Sequence, residues 1–168
     1  LLGNVQEDRN VIYYLCLVLS GSSLGFLFVN WSPAKIFMGD VGSSFIGFWI
    51  AGLTVLGVLR LGLSPMLFLI PMAVFIVDST YTLIRRCIRG AKPTKAHREN
   101  AYQVLVRGGK RHSSVSMGVI LFNFLVLGPI TYYFLKNSIQ SFAIVIILYL
   151  VLSAVPFALG AGKKEESA

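Results

Sequence analysis

Five apolar runs, near residues 11–29, 44–59, 66–84, 117–135 and 139–159, restrict this chain more than any other feature. About 20 apolar residues in a helix cross the hydrocarbon core of a bilayer. Lipid offers no hydrogen bonds, so a spanning segment must satisfy its backbone internally. The second run is the shortest and is interrupted by Gly47, Gly52 and Gly57. The third carries Pro65 and Pro71 near its start, where neighbouring helices can absorb a bend. Only 13% of the 168 residues are charged and 55% are hydrophobic, whereas soluble chains carry about 25% charged residues. The expected architecture is all-α: a polytopic transmembrane helical bundle of about five spans within 1–168. Its polar loops fall at 30–43 and 85–116.

The net charge of +8 does not mark a nucleic-acid binder, because the basic residues are concentrated in one loop. Arg85, Arg86, Arg89, Lys92, Lys95, Arg98, Arg107, Lys110 and Arg111 make up nine of the 15 Lys and Arg residues. The positive-inside rule places that loop in the cytoplasm. Alternation then puts 30–43 and Lys163-Lys164 on the same side and leaves Arg9, Arg60 and Lys136 on the other. Cys16 in the first run and Cys87 at a helix end differ in depth and compartment, so no disulfide is expected between them. The chain starts at Leu1 with neither the basic start nor the cleavage site of a signal peptide. It is therefore expected to lack an N-terminal part, and the polar tail 163–168 is expected to be a genuine C-terminus. The small-residue face Gly21-Ser22-Ser23-Leu24-Gly25 serves close helix packing, within one chain or in a homodimer.

Three constellations could carry chemistry. In Gly39-Asp40-Val41-Gly42-Ser43-Ser44, glycines allow close backbone approach, Ser43 or Ser44 could cap the following helix, and that helix's first amides favour phosphate. Asp40 offers a hard oxygen ligand for Mg²⁺, and Lys35 adds a point charge. Spacing alone fits a capped turn with a solvated Asp equally well. Asp78 lies inside the third run, where an acid points to function; pairing with Arg85, or hydrogen bonding to Ser or Thr, is the structural alternative. A helix is expected over 95–107, capped by Thr94, after Gly90-Ala91-Lys92-Pro93 and ended by Gly108-Gly109. It would put His97, Asn100 and Gln103 on one face and Arg98 and Tyr102 on another, a cationic surface suited to a nucleotide diphosphate. Its apolar side, Ala101, Val104 and Leu105, would lie on the membrane surface. By itself, the segment is better explained as a solvated basic amphipathic helix, and His112 calls for no chemistry.

The segment Pro33-Ala34-Lys35-Ile36-Phe37-Met38-Gly39-Asp40-Val41-Gly42-Ser43 resembles the polyprenyl-phosphate N-acetylhexosamine-1-phosphate transferases, relatives of phospho-N-acetylmuramoyl-pentapeptide transferase. Asp78 and Lys95-Ala96-His97-Arg98-Glu99-Asn100-Ala101-Tyr102-Gln103 add to the likeness, the latter in the manner of the branch that initiates O-antigen and other surface polysaccharides. The resemblance implies an enzyme of the bacterial inner membrane, with a cytoplasm-facing cleft, that transfers a sugar 1-phosphate from a UDP-N-acetylhexosamine to undecaprenyl phosphate and releases UMP. It implies Mg²⁺ as cofactor, Asp40 as metal ligand and catalytic residue, and His97 as a catalytic residue. Lys35, Gly39, Gly42, Ser43, Arg98 and Asp78 would be substrate-binding. The chain departs from the pattern at Asn100, where relatives carry a second His. It also lacks the family's upstream acidic motifs, so it is expected to be inactive alone and to form the C-terminal half of an enzyme of about ten spans. The peptidoglycan enzyme carries consecutive histidines where this chain has Ala96-His97-Arg98-Glu99. An ion-coupled transporter using Asp78 would place its polar groups at mid-membrane; here they cluster at the boundary.

Overall fold

A computed structural model describes residues 4–36, 38–92, 98–137 and 142–163. These residues are helical with no strand, as expected for an all-α membrane bundle. The chain divides into two compact units, Leu1–Phe68 and Leu69–Ala168.

The first unit is built on two long helices packed together, α1 (Val5–Asn30) and α2 (Gly39–Leu61). Asn4 caps α1 by accepting from the Gln6 N–H, and Glu7 and Asp8 in the first turn complement the helix dipole. Gly47 and Gly52 do not interrupt α2, which is longer than the expected 44–59. It ends at Gly62, whose φ of 63° is the left-handed cap that glycine adopts without strain. Gly57 is buried beneath Phe68, where an added Cβ would meet the ring at 3.0 Å.

The expected third helix over 66–84 is broken. A single turn, α3 (Met66–Leu69), is followed by α4 (Ala73–Ile88). Pro71 accounts for the break: it has no N–H to donate and disfavours helical geometry at Ile70. The second unit compensates, since the Tyr149 hydroxyl donates to the freed Leu69 carbonyl at 2.8 Å. Around α4 lie α5 (Ala101–Arg107), α6 (His112–Phe122), a π-helical turn (Asn123–Leu127), α7 (Gly128–Lys136) and α8 (Phe142–Ala158). From α6 to α7 the chain forms one rod, His112–Lys136. Its π turn precedes Pro129, and the Gly128 N–H bonds to the Asn123 carbonyl one residue beyond α register. The core of this unit includes Ile70, Ala73, Val77, Ala101, Leu127, Phe134, Val145 and Ala161, with Thr82 and Arg86 buried among them.

Among the described residues, Val5–Asn30, Gly39–Leu61 and His112–Lys136 are long and apolar enough to cross a membrane, and Phe142–Ala158 is a shorter apolar helix. Their large side chains point outward; Phe28 is 89% and Phe48 77% exposed. In water such surfaces would aggregate, whereas in hydrocarbon they face a solvent of their own kind. The chain is an integral membrane protein. Cys16 and Cys87 are both free thiols.

Candidate functional site

In the first unit the Asp40 motif forms a loop-to-helix junction. The loop after α1 is tied back on itself: Asn30 Nδ2 donates to the Ile36 carbonyl at 2.7 Å, and the Lys35 N–H donates to the Val29 carbonyl at 3.0 Å. Lys35 is thereby held near the helix end with its side chain in the open. Helix α2 starts at Gly39, whose φ of 65° reverses the chain into the first turn. Asp40 is the second helical residue and is exposed. The expected cap is not formed by Ser43 or Ser44, because both lie inside α2. The Ser43 hydroxyl donates back to the Gly39 and Asp40 carbonyls, each at 3.1 Å. Among the described residues no side chain caps α2, so its leading amides can receive an anion beside the Asp40 carboxylate. Gly42 lies under Met38, whose Cγ would be 2.5 Å from an added Cβ.

The donor chemistry at Asp40 suits a hard cation. Among the described residues no three His, Cys, Asp or Glu side chains gather into a metal cluster. A cation held by Asp40 would take its other ligands from substrate phosphates and water, as Mg²⁺ commonly does.

In the second unit Asp78 does not pair with Arg85. Its Oδ1 accepts the Ala101 N–H at 2.7 Å, the Tyr102 N–H also reaches the carboxylate, and the Thr82 hydroxyl stands 3.5 Å away. Asp78 thus anchors the start of α5 on α4, while Arg85 donates to the Tyr81 hydroxyl and to the Ala161 carbonyl, both at 3.2 Å.

The helix expected over 95–107 begins only at Ala101. Asn100, rather than Thr94, is its cap, in a reciprocal box with Gln103. Arg98 and Asn100 therefore precede the helix, and the helical faces expected to join Asn100 with Gln103, and Arg98 with Tyr102, do not form. Arg98 is exposed. His97, Thr94, Lys95 and Ala96 lie outside the described residues. The expected end is found: α5 stops at Arg107, followed by Gly108 and by Gly109 at φ 90°. Burial first, and the nearby Asp78 charge second, push the Tyr102 phenol above its usual pKa, opposed by its hydrogen bond with Gln103. It stays neutral at physiological pH.

Between α4, α5, α6 and α8 lies a cavity of about 450 Å³, lined mainly by apolar side chains such as Val77, Leu105, Val115, Phe122 and Leu152. Asp78, Tyr102, Lys110 and Ser114 add its polar groups. Sequence reasoning gave no individual role to Lys110 or to Glu99, which binds Arg89 through both carboxylate oxygens at 2.9 Å. No sequence periodicity joins Arg89 to Glu99, since the connecting segment is not one helix.

The sequence pattern described as Glycosyl transferase family 4 matches residues 1–58. A probable undecaprenyl-phosphate N-acetylglucosaminyl 1-phosphate transferase of Bacillus subtilis (strain 168) is 33% identical over 153 residues, covering 88% of this chain and 41% of the relative. A phospho-N-acetylmuramoyl-pentapeptide-transferase of Vesicomyosocius okutanii is 51% identical over 47 residues, covering 28% of the chain and 13% of the relative. The enzyme of that name from Streptomyces coelicolor is 40% identical over 84 residues, covering 48% and 23%. No solved structure matches. The chain thus spans well under half the length of these relatives. With the Asp40 motif and the all-helical membrane fold, these likenesses support a place for the chain in glycosyl transferase family 4.

Proposed function

We propose that this chain is part of a membrane transferase that moves N-acetylhexosamine 1-phosphate from a UDP-sugar to polyprenyl phosphate and so initiates a lipid-linked surface glycan. The observation that carries the reading is the exposed Asp40 carboxylate in the first turn of α2, beside uncapped amides and the tethered Lys35 loop. A phosphate oxygen of the carrier attacks the sugar-bearing phosphorus. The bond from that phosphorus to the bridging oxygen breaks, and UMP leaves with the bridging oxygen and its electron pair. Such chemistry needs positioning and charge neutralisation above all. Asp40 would hold Mg²⁺, which when bound neutralises the diphosphate. Lys35 and the α2 amides would orient phosphate oxygens, and the resemblance assigns Arg98 and His97 of the basic loop to the nucleotide sugar. The apolar cavity of the second unit offers room for isoprene units of the carrier. The concentration of basic residues in 85–111 supports a cytoplasmic site.

UDP-N-acetylglucosamine is the first donor to test, because the likeness to the Bacillus subtilis relative runs through most of the chain. The short, stronger likenesses to phospho-N-acetylmuramoyl-pentapeptide transferases favour the peptidoglycan donor as second reading.

The test uses membranes containing the whole protein, undecaprenyl phosphate and labelled UDP-N-acetylglucosamine. Label should enter the lipid fraction with Mg²⁺, fail to do so with EDTA, and return to UDP-sugar with excess UMP. Asp40→Asn should lower turnover by about 10²-fold or more, the scale of losing one preorganised electrostatic contact. Near-normal turnover by that variant, or no transfer from any donor in a panel, would sink the reading.

A further inference from the structure

The chain beyond α8 does not simply trail away. Gly160 and Gly162 take φ values of 72° and 73°, and between them Ala161 is fully buried. The turn is closed by the Ala161 N–H on the Pro156 carbonyl at 2.9 Å and the Gly160 N–H on the Phe157 carbonyl at 3.0 Å. It lies against the end of α4 so closely that a Cβ at Gly162 would stand 2.9 Å from Arg85 Cβ and 3.2 Å from the Thr82 carbonyl oxygen. Only glycine combines that backbone conformation with that approach.

Among the described residues, this turn meets the stretch that leads into α5 at Glu99. The Gly162 N–H donates to the Glu99 carbonyl at 3.0 Å. Arg89 bridges the two, with Nη1 donating to the Gly162 carbonyl at 2.8 Å and Nη2 donating to both Glu99 carboxylate oxygens at 2.9 Å. Arg85 holds the Ala161 carbonyl at 3.2 Å. Buried Arg86 stands 3.7 Å from the Glu99 carboxylate and donates to the Lys92 carbonyl at 3.2 Å. On the other flank, Asn100 is held by its capping box and the Ala101 N–H by Asp78. Residues 99–101 are therefore pinned from α4 and from the chain's end, and the exposed Arg98 adjoins that pinned stretch.

We propose that the turn 159–163 is a latch on the basic loop, with Gly162, Arg89 and Glu99 as positioning residues that set where Arg98 is presented to the donor's phosphates. The proposal rests on the transferase reading given above. A geometric fit of this kind matters because a displacement of about 1 Å at a substrate-orienting group can lower rates by about 10²-fold.

The test compares Gly162→Ala and Arg89→Gln with wild type in the whole protein in membranes, by two readouts. The first is tryptic release of the fragment beginning at Glu99, identified by mass; cleavage tracks local opening and should quicken about tenfold when the latch is lost. The second is steady-state kinetics: KM for the UDP-sugar should rise about tenfold while KM for polyprenyl phosphate stays within about twofold. Arg89→Lys retains the charge without the fork and should give an intermediate effect, which covers the case that Gly162→Ala does not accumulate. Unchanged cleavage would overturn the latch, and faster cleavage with unchanged donor KM would overturn the positioning role. If wild type transfers nothing from any UDP-sugar, the transferase reading fails, while cleavage still reports on the latch itself.

Discussion

Asp78 and Asp40 show how the same residue type takes opposite parts according to what surrounds it. Asp40 sits exposed in the first turn of α2, where under the proposed function its oxygens would meet a cation and phosphates. Asp78 spends its carboxylate on the backbone of α5, accepting from Ala101 at 2.7 Å. Charge-assisted bonds of this sort contribute about 1.5–3 kcal/mol. Asp78→Ala should therefore lower the stability of the whole protein in detergent by about 1.5–3 kcal/mol, read as a fall in Tm. Asp78→Asn retains an acceptor oxygen and should lose less. Equal stability for all three proteins would show that the Ala101 bond does not hold in the folded protein. An intramembrane acid could be recognised in the sequence as meaningful, but its partner could not, because Ala101 is 23 residues away and offers only a backbone amide.

At the level of elements, Pro71 and Gly162 act through the backbone while the apolar rods act through their surfaces. The break before α4 and the turn after α8 bring α4, α5, α6 and α8 around the apolar cavity. Gly118 on α6 lines it, and a Cβ there would meet nothing within 4 Å. Gly118→Leu should consequently leave the helix intact, or firm it by roughly 1 kcal/mol through higher helix propensity, while filling the cavity. If the carrier's isoprene chain occupies this space, KM for polyprenyl phosphate should rise several-fold, about 1 kcal/mol in binding, with KM for the donor unchanged. Unaltered carrier KM would remove the cavity from the acceptor path. The broken α3–α4 segment could be anticipated from Pro71, yet the late start of α5 could not. Favourable spacing over 95–107 competes with the Glu99 ion pair and the Asn100 cap, which stabilise a non-helical approach to Ala101.

For the whole molecule, the charge distribution and the helices together make a topological statement. Arg111 precedes the rod His112–Lys136 and Lys136 ends it, so the two should lie on opposite faces of the membrane. In a variant with Cys16 and Cys87 replaced by Ala, a single Cys at Arg111 should react with a membrane-impermeant maleimide only in inverted vesicles. A Cys at Lys136 should react only in right-side-out cells. The reverse pattern would invert the orientation drawn from the basic loop, and labelling of both from one side would mean that the rod does not cross.

The amino-acid sequence by itself determined that this is an all-helical membrane chain, because continuous apolar runs of about 20 residues cross hydrocarbon as helices, which satisfy their backbone within the segment. It also displayed the Asp40 motif, since those residues are contiguous and local spacing alone sets the loop-to-helix junction. The tertiary structure decided what depends on distant partners: which donors Asp78 accepts, where α5 begins, and how Gly162 meets Arg89 and Glu99. Those contacts join residues up to 73 positions apart, as in the Arg89–Gly162 bond. Hydrogen bonds of that range leave no period in the sequence, and they form only once packing has brought their elements together.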